Sequence, residues 1–368
     1  MATERIEFAN SLRGFAALSV VVSHIVGGVW FGRPAVERVT GLPQLPAEIQ
    51  APWWAYIAHQ PDFNFGAFGV GIFFLISGFV IPFSLTRMSA GRFLVARVIR
   101  LFPTYAACFT LVISSVALGA LYFGVVYPYK ATEVIYHYFP GLRAIMASRG
   151  IDGVTWTLEV EILFYLLCAA AAPLLRTRSL WLFLMPPLIT GLYLVLQALP
   201  YVPSNVLGIA ERIPYVNFLF IGAAFHFVHV KAVDWRTGSL IGAGLLAVWV
   251  IGWSVAREPS LSYVWPDYLY ALGLFALCYN FPRIVPKGRI VRFFADISYP
   301  LYLMHAVLGY VVSLVLLTRG YSPGVVAAAA LLCAVAAATV VHILVERPTH
   351  RMAVSVQKRQ VVTALMTA

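Results

Sequence analysis

The chain has 368 residues, of which 61% are hydrophobic and 11% charged, where soluble domains run at about 45–50% and about 25%. This excludes a cytosolic globular enzyme, a disordered chain and a collagen-like one, and replaces the two soluble domains that length alone suggests with a polytopic membrane protein. The net charge of +11, from 26 Lys and Arg against 15 Asp and Glu, is then read by position along the spans rather than as nucleic-acid affinity.

A helix needs ~20 apolar residues to cross a bilayer. Ten stretches qualify, near 11–31, 66–86, 102–124, 155–175, 180–199, 213–230, 238–255, 265–283, 297–318 and 324–345. The expected fold is an all-α polytopic membrane protein of about ten transmembrane helices. The weakest spans are 213–230, which carries Asn217 and His226, and 265–283. The stretch 131–147 is too polar to cross and fits an interfacial helix.

With the N-terminus in the cytoplasm, 18 of the 26 cations fall on the cytoplasmic side and eight on the other. That bias fits ten spans with both termini cytoplasmic. The segments 32–65 and 125–154 then face outward. The first, with Pro34, Pro43, Pro46, Pro52, Trp53 and Trp54, reads as an ordered interfacial loop. The first span reads as a retained helix rather than a cleaved signal, because it is long and no small-residue cleavage site follows. The expected organisation is one membrane domain over 1–348 and a short basic cytoplasmic tail over 349–368. No internal repeat stands out, which counts against an inverted-repeat transporter. Cys108, Cys168, Cys278 and Cys333 lie in apolar stretches without zinc-like spacing and read as small core residues.

Ionisable side chains inside spans cost at least ~2.5–3.5 kcal/mol each on insertion scales and are functional candidates by default. In the first span, LRGFAALSVVVSH, Arg13 and His24 are eleven residues apart. That is about 20° from three whole turns, so the two share a face, displaced by about 16 Å. Arg13 falls at the cytoplasmic boundary and His24 near mid-membrane. A neutral imidazole there can move protons near pH 7; a snorkelling Arg and a packed His are the bland alternative.

The second span, GVGIFFLISGFVIPFSL, holds Gly69, Gly71, Ser77, Gly78 and Pro82. These small residues serve close packing, or a helix break that aims backbone groups at a ligand. Next, GRFLVARVIRLFP places Arg92, Arg97 and Arg100 before Pro103, with Arg97 and Arg100 on one helix face. Four Arg between 87 and 100 suit a polyphosphate ligand or a lipid-headgroup anchor.

The fourth span opens TWTLEVEILFY. Glu159 and Glu161 face about 200° apart, so they cannot share one pocket by the same geometry. Trp156 and Tyr165 fit interfacial belt aromatics. In DISYPLYLMHAVLGY, Tyr299, Tyr302 and His305 recur every three residues and line one helix face, either as a polar cavity wall or as a satisfied buried histidine. The closing Glu346-Arg347-Pro348 reads as structural, with Glu346 paired to a cytoplasmic Arg.

Taken in order, Arg13-x10-His24, GVGIFFLISGF, RFLVARVIRLFP, WTLEVEILFY, ISYPLYLMH and the closing ERP resemble the membrane acyltransferase 3 family over residues 12 to 348. The resemblance implies a ten-helix integral membrane O-acyltransferase that moves an acyl group, usually acetyl from acetyl-CoA, to a hydroxyl. It implies a catalytic role for His24, with Arg13 from the same motif. It carries the family's basic pair onto Arg97 and Arg100, and its Trp and Glu onto Trp156 and Glu161. Glu159 stands where many members have Ser and receives no role. A fused esterase-like domain, which many members carry, is not expected here.

The expected site therefore has His24, Arg13 and Glu161 as catalytic residues. Arg97, Arg100, Arg92 and Ser77 would hold the donor, and Trp156, Tyr302 and His305 the acceptor. Backbone groups near Ser77 and Gly78, or the Tyr302 hydroxyl, would stabilise the oxyanion. Glu161 would orient the site or the acceptor from the outer side. Acetyl-CoA enters as co-substrate, with no metal and no nucleic-acid partner. The acceptor is a surface or lipid-linked glycan, or else a secreted small molecule, and the setting is the cell inner membrane. The rival from another class is a transporter or flippase.

Overall fold

A segment in lipid must satisfy its backbone polar groups internally, and this sequence does so with helices. The structure is a computed structural model, which describes residues 4–254 and 264–355. Arg257, Lys358 and Arg359, counted above for orientation, lie outside the described residues. So does most of the expected tail: only 349–355 are described, as a continuation of the last helix.

In chain order the main helices are α1 (Glu4–Val21), α2 (Phe65–Leu85), α3 (Ala90–Phe123), α4 (Thr155–Ala170), α5 (Met185–Ala198), α6 (Ile213–His229), α7 (Trp235–Ser254), α8 (Trp265–Asn280), α9 (Arg289–Asp296), α10 (Ser298–Thr318) and α11 (Pro323–Val341). Among the described residues, eight helices are long and apolar enough to cross a membrane. The ten-span expectation also counts α4 and α8, which have 16 residues each. They are about 24 Å long, against a hydrocarbon core of ~30 Å. Helix α3 errs the other way. Its 34 residues extend about 51 Å, and Arg92, Arg97 and Arg100 sit in its first three turns.

Two of these helices form the interior. Helix α2 is enclosed by α1, α4, α6 and α8, and α10 by α1, α3 and α11. Helix α1 touches both. The α2–α6 crossing depends on glycine. A Cβ on Gly78 would collide with the Leu219 carbonyl oxygen, and one on Gly222 with the Leu75 carbonyl oxygen. Small residues let two backbones approach this closely. Helix α2 runs unbroken through Ser77, Gly78 and Pro82, so the helix break offered as an alternative is absent, and Gly78 serves close packing.

The segment 32–65 is ordered by Arg33. Its guanidinium donates to the carbonyls of Trp30, Leu45, Pro46 and Ile49 at 2.8–3.2 Å. The segment 125–154 holds two short helices, Ala131–His137 and Leu142–Ile145. Asp152 accepts from the backbone N–H groups of Val154 and Thr155 at 3.1 and 2.9 Å and so fixes the turn that leads into α4. Burial raises the Asp152 carboxyl, but His137 and Thr155 outweigh it and leave the group below its ordinary range.

Candidate active site

A cavity of about 650 Å³ opens between α1, α2, α3, α4, α10 and the end of the last helix. Its wall carries five arginines: Arg13, Arg97, Arg100, Arg347 and Arg351. Three carboxylates share it: Glu161, Asp296 and Glu346. Among the described residues none of these arginines forms an ion pair. Glu161 accepts from the Ser77 hydroxyl, and Glu346 is held by His342 Nδ1 at 2.6 Å. The expected Glu346–Arg pair is thus a Glu346–His342 pair, because the two side chains are four residues apart on one helix.

Each cavity arginine is placed by its helix. Arg97 and Arg100 are three residues apart on α3 and turn to the same wall, as their spacing requires. Arg97 donates to Ser84 Oγ at 3.0 Å and lies over the rings of Phe93 and Tyr165, at 5.2 and 5.5 Å. Such a guanidinium is spread and oriented but keeps donors for an anion. Five arginines gathered in one cavity, without ion pairs among the described residues, have the chemistry to receive a polyanion, since Arg forks match phosphate geometry.

Tyr302 and Phe73 line the cavity on the side of the histidines, and their rings meet edge-on at 5.4 Å. The Tyr302 hydroxyl bonds Thr157 Oγ1 at 2.9 Å. Beyond this pair lie two histidines that do not line the cavity. His305 Nε2 is 3.1 Å from His24 Nδ1, with the ring centres 5.0 Å apart. His24 Nδ1 also faces the Val20 carbonyl at 2.9 Å. His305 Nδ1 faces the carbonyls of Leu301 and Tyr302 at 3.0 and 2.9 Å.

These partners assign the tautomers. A carbonyl can only accept, so Nδ1 carries the proton in both rings. His305 Nε2 is then an acceptor for His24 Nδ1–H. His24 Nε2 is left with a lone pair and no hydrogen-bond partner among the described residues, and His24 is half-buried where His305 is fully buried. The stretch Val22–Gly28 around His24 winds as a π-helix, a local widening found frequently at functional sites. This arrangement can take a proton at a defined atom.

The structure gathers most of the expected residues but in two places. Arg13, Arg97, Arg100, Ser77, Glu161 and Tyr302 share the cavity, and His24 and His305 pair beyond it. Arg92 is exposed on α3 and does not line the cavity. Trp156 packs between Phe74 and Tyr215, with ring centres 6.3 and 4.8 Å away, and is also outside it. Glu161 shares the cavity with the arginines. His305 has both ring nitrogens engaged and none left for an acceptor. Glu159, about 200° around α4 from Glu161, is buried against Arg143 and Arg212. Tyr165, read as a belt aromatic, is a buried cavity residue. Sequence reasoning missed Arg347, His350 and Arg351 in the cavity wall. Their spacing of three and four residues was a signal; that they turn inward was not visible. No group of three or more His, Cys, Asp or Glu side chains is gathered among the described residues.

Comparison with known proteins bears on the same chain. A family model described as an acyltransferase domain matches residues 6–345. The chain is similar to nodulation protein 10 of Rhizobium leguminosarum bv. viciae, 27% identical in an alignment of 325 positions that covers 80% of each chain. No solved structure matches.

Proposed function

The chain belongs to this acyltransferase family, and from that premise we propose that it transfers an acyl group, acetyl in the first place, from acyl-CoA to a hydroxyl of a surface or lipid-linked glycan. The observation that carries the reading is the succession of an arginine cavity, the Tyr302–Phe73 contact and the His24–His305 pair. Donor phosphates suit the arginines, and the acyl end points inward toward Tyr302. Glu161, fixed by Ser77, shares the cavity wall with Arg13, Arg97 and Arg100.

His24 acts as the general base. Its Nε2 takes the proton of the acceptor hydroxyl, and the oxygen bonds to the thioester carbonyl carbon. The C–S bond then breaks, and the leaving thiolate recovers the proton from Nε2. His24 Nδ1–H stays on the Val20 carbonyl and His305 throughout, which holds the ring and steadies its transient positive charge. The protein is a multi-pass membrane acyltransferase. We place it in the inner membrane with the arginine cavity toward the cytoplasm, where acyl-CoA is made.

The test is transfer of labelled acetyl from acetyl-CoA to a cell-surface glycan fraction by membranes containing the protein. His24→Ala is expected to lower the rate by about 10²–10⁴ at unchanged membrane abundance. Transfer at the wild-type rate by that variant would overturn the assignment.

A further inference from the structure

The cavity arginines fall into two tiers. Arg13, Arg97 and Arg100, from α1 and α3, are half-buried; Arg347 and Arg351, from the last helix, are exposed at the rim. The rim pair is four residues apart and so shares one helix face, with His350 beside it. All three follow the π-helical turn His342–Glu346, across which His342 holds Glu346 at 2.6 Å. The nearest carboxylate in sequence is therefore occupied. Asp296 is exposed and, among the described residues, forms no ion pair. Among the described residues, neither rim guanidinium forms an ion pair.

We infer that Arg347 and Arg351 form a second anion subsite, which takes a terminal phosphomonoester on the donor, the ribose 3′-phosphate of CoA, while Arg13, Arg97 and Arg100 take the pyrophosphate. This rests on the acyl-CoA reading above. The linear order of the molecule matches the linear order of the cavity. The pantetheine arm is joined to the pyrophosphate, so the pyrophosphate lies on the Tyr302 side. The adenosine end, with its phosphomonoester, stays at the rim. The subsite gives the enzyme a preference for intact CoA over donors that have a pantetheine arm but no such phosphate. A phospholipid headgroup offers the rim the same phosphate chemistry, and the test separates the two sources.

The experiment measures equilibrium binding of acetyl-CoA and acetyl-dephospho-CoA to the full-length protein in a neutral maltoside detergent. Loss of two charge-assisted contacts predicts that the dephospho donor binds about tenfold more weakly. Arg347→Gln with Arg351→Gln is expected to weaken acetyl-CoA to the level of the dephospho donor and leave the latter unchanged. Equal wild-type affinities would overturn the subsite, leave the acyl-CoA reading standing, and return the rim pair to lipid headgroups. A preference that persists in the double variant would overturn the assignment to these two residues. Binding of neither donor would instead sink the acyl-CoA reading itself. The wild-type comparison needs no variant and stands if the double variant fails to insert.

Discussion

At the scale of single residues, His24 owes its chemistry to a neighbour 281 positions away. Its Nδ1 proton is directed by the Val20 carbonyl and by His305 Nε2, so the reactive lone pair is forced onto Nε2. His305 is thus a positioning residue. His305→Phe removes the acceptor and is expected to lower kcat by about 10-fold or more, with KM for acetyl-CoA unchanged, since the donor arginines lie elsewhere. His305→Gln keeps an acceptor oxygen and should recover much of the rate. Equal losses in both variants, or a rise in KM, would point to a structural role only. The eleven-residue spacing made Arg13 and His24 legible as a pair on one face. It could not show that Tyr302 from α10 comes between their surroundings, because that depends on how two distant helices pack.

At the scale of elements, α4 does two jobs with opposite faces. Glu161 turns to the cavity. Glu159 turns to Arg143, whose Nε donates to it at 2.8 Å, and to Arg212, whose Nη2 donates at 3.2 Å. These bonds tie the segment 125–154 and the start of α6 to α4. A buried carboxylate that loses a partner bears its desolvation uncompensated. Arg143→Ala should therefore destabilise the protein by about 1–3 kcal/mol, read as a lower thermal midpoint in detergent with donor binding retained. An unchanged midpoint would mean that Arg212 alone satisfies Glu159. The 200° separation of the two acids was readable from helical geometry. The identity of their partners was not, since Arg143 and Arg212 lie 16 and 53 residues away from Glu159 and no periodicity links them.

At the scale of the whole molecule, the first and last helices meet at the cavity, where Asn10 and Arg351 line one wall. The described parts of the first and last helices therefore approach each other at this cavity, whose wall carries five arginines. Reporter fusions give the orientation directly. A C-terminal fluorescent protein should fluoresce, and a C-terminal alkaline phosphatase should be inactive, as the positive-inside bias requires. An active phosphatase fusion would reverse the proposed sidedness and put the arginine cavity out of reach of cytoplasmic acyl-CoA. Apolar length made the bundle legible, but it blurred at α4 and α8, whose 16 residues each fall short of the full bilayer thickness.

The sequence by itself determined that the chain is a helical membrane bundle and which rare polar side chains deserve suspicion. Both follow from local costs: apolar length against bilayer thickness, and charge against desolvation. The tertiary structure decided which of those side chains meet. It sent Glu161 to the arginines, left Arg92 in the open, closed His305 onto His24, and brought Arg347 and Arg351 back to the start of the chain. Those outcomes depend on helix crossings such as Gly78 against Gly222, which fix distances between residues hundreds of positions apart and leave no periodic trace in the sequence.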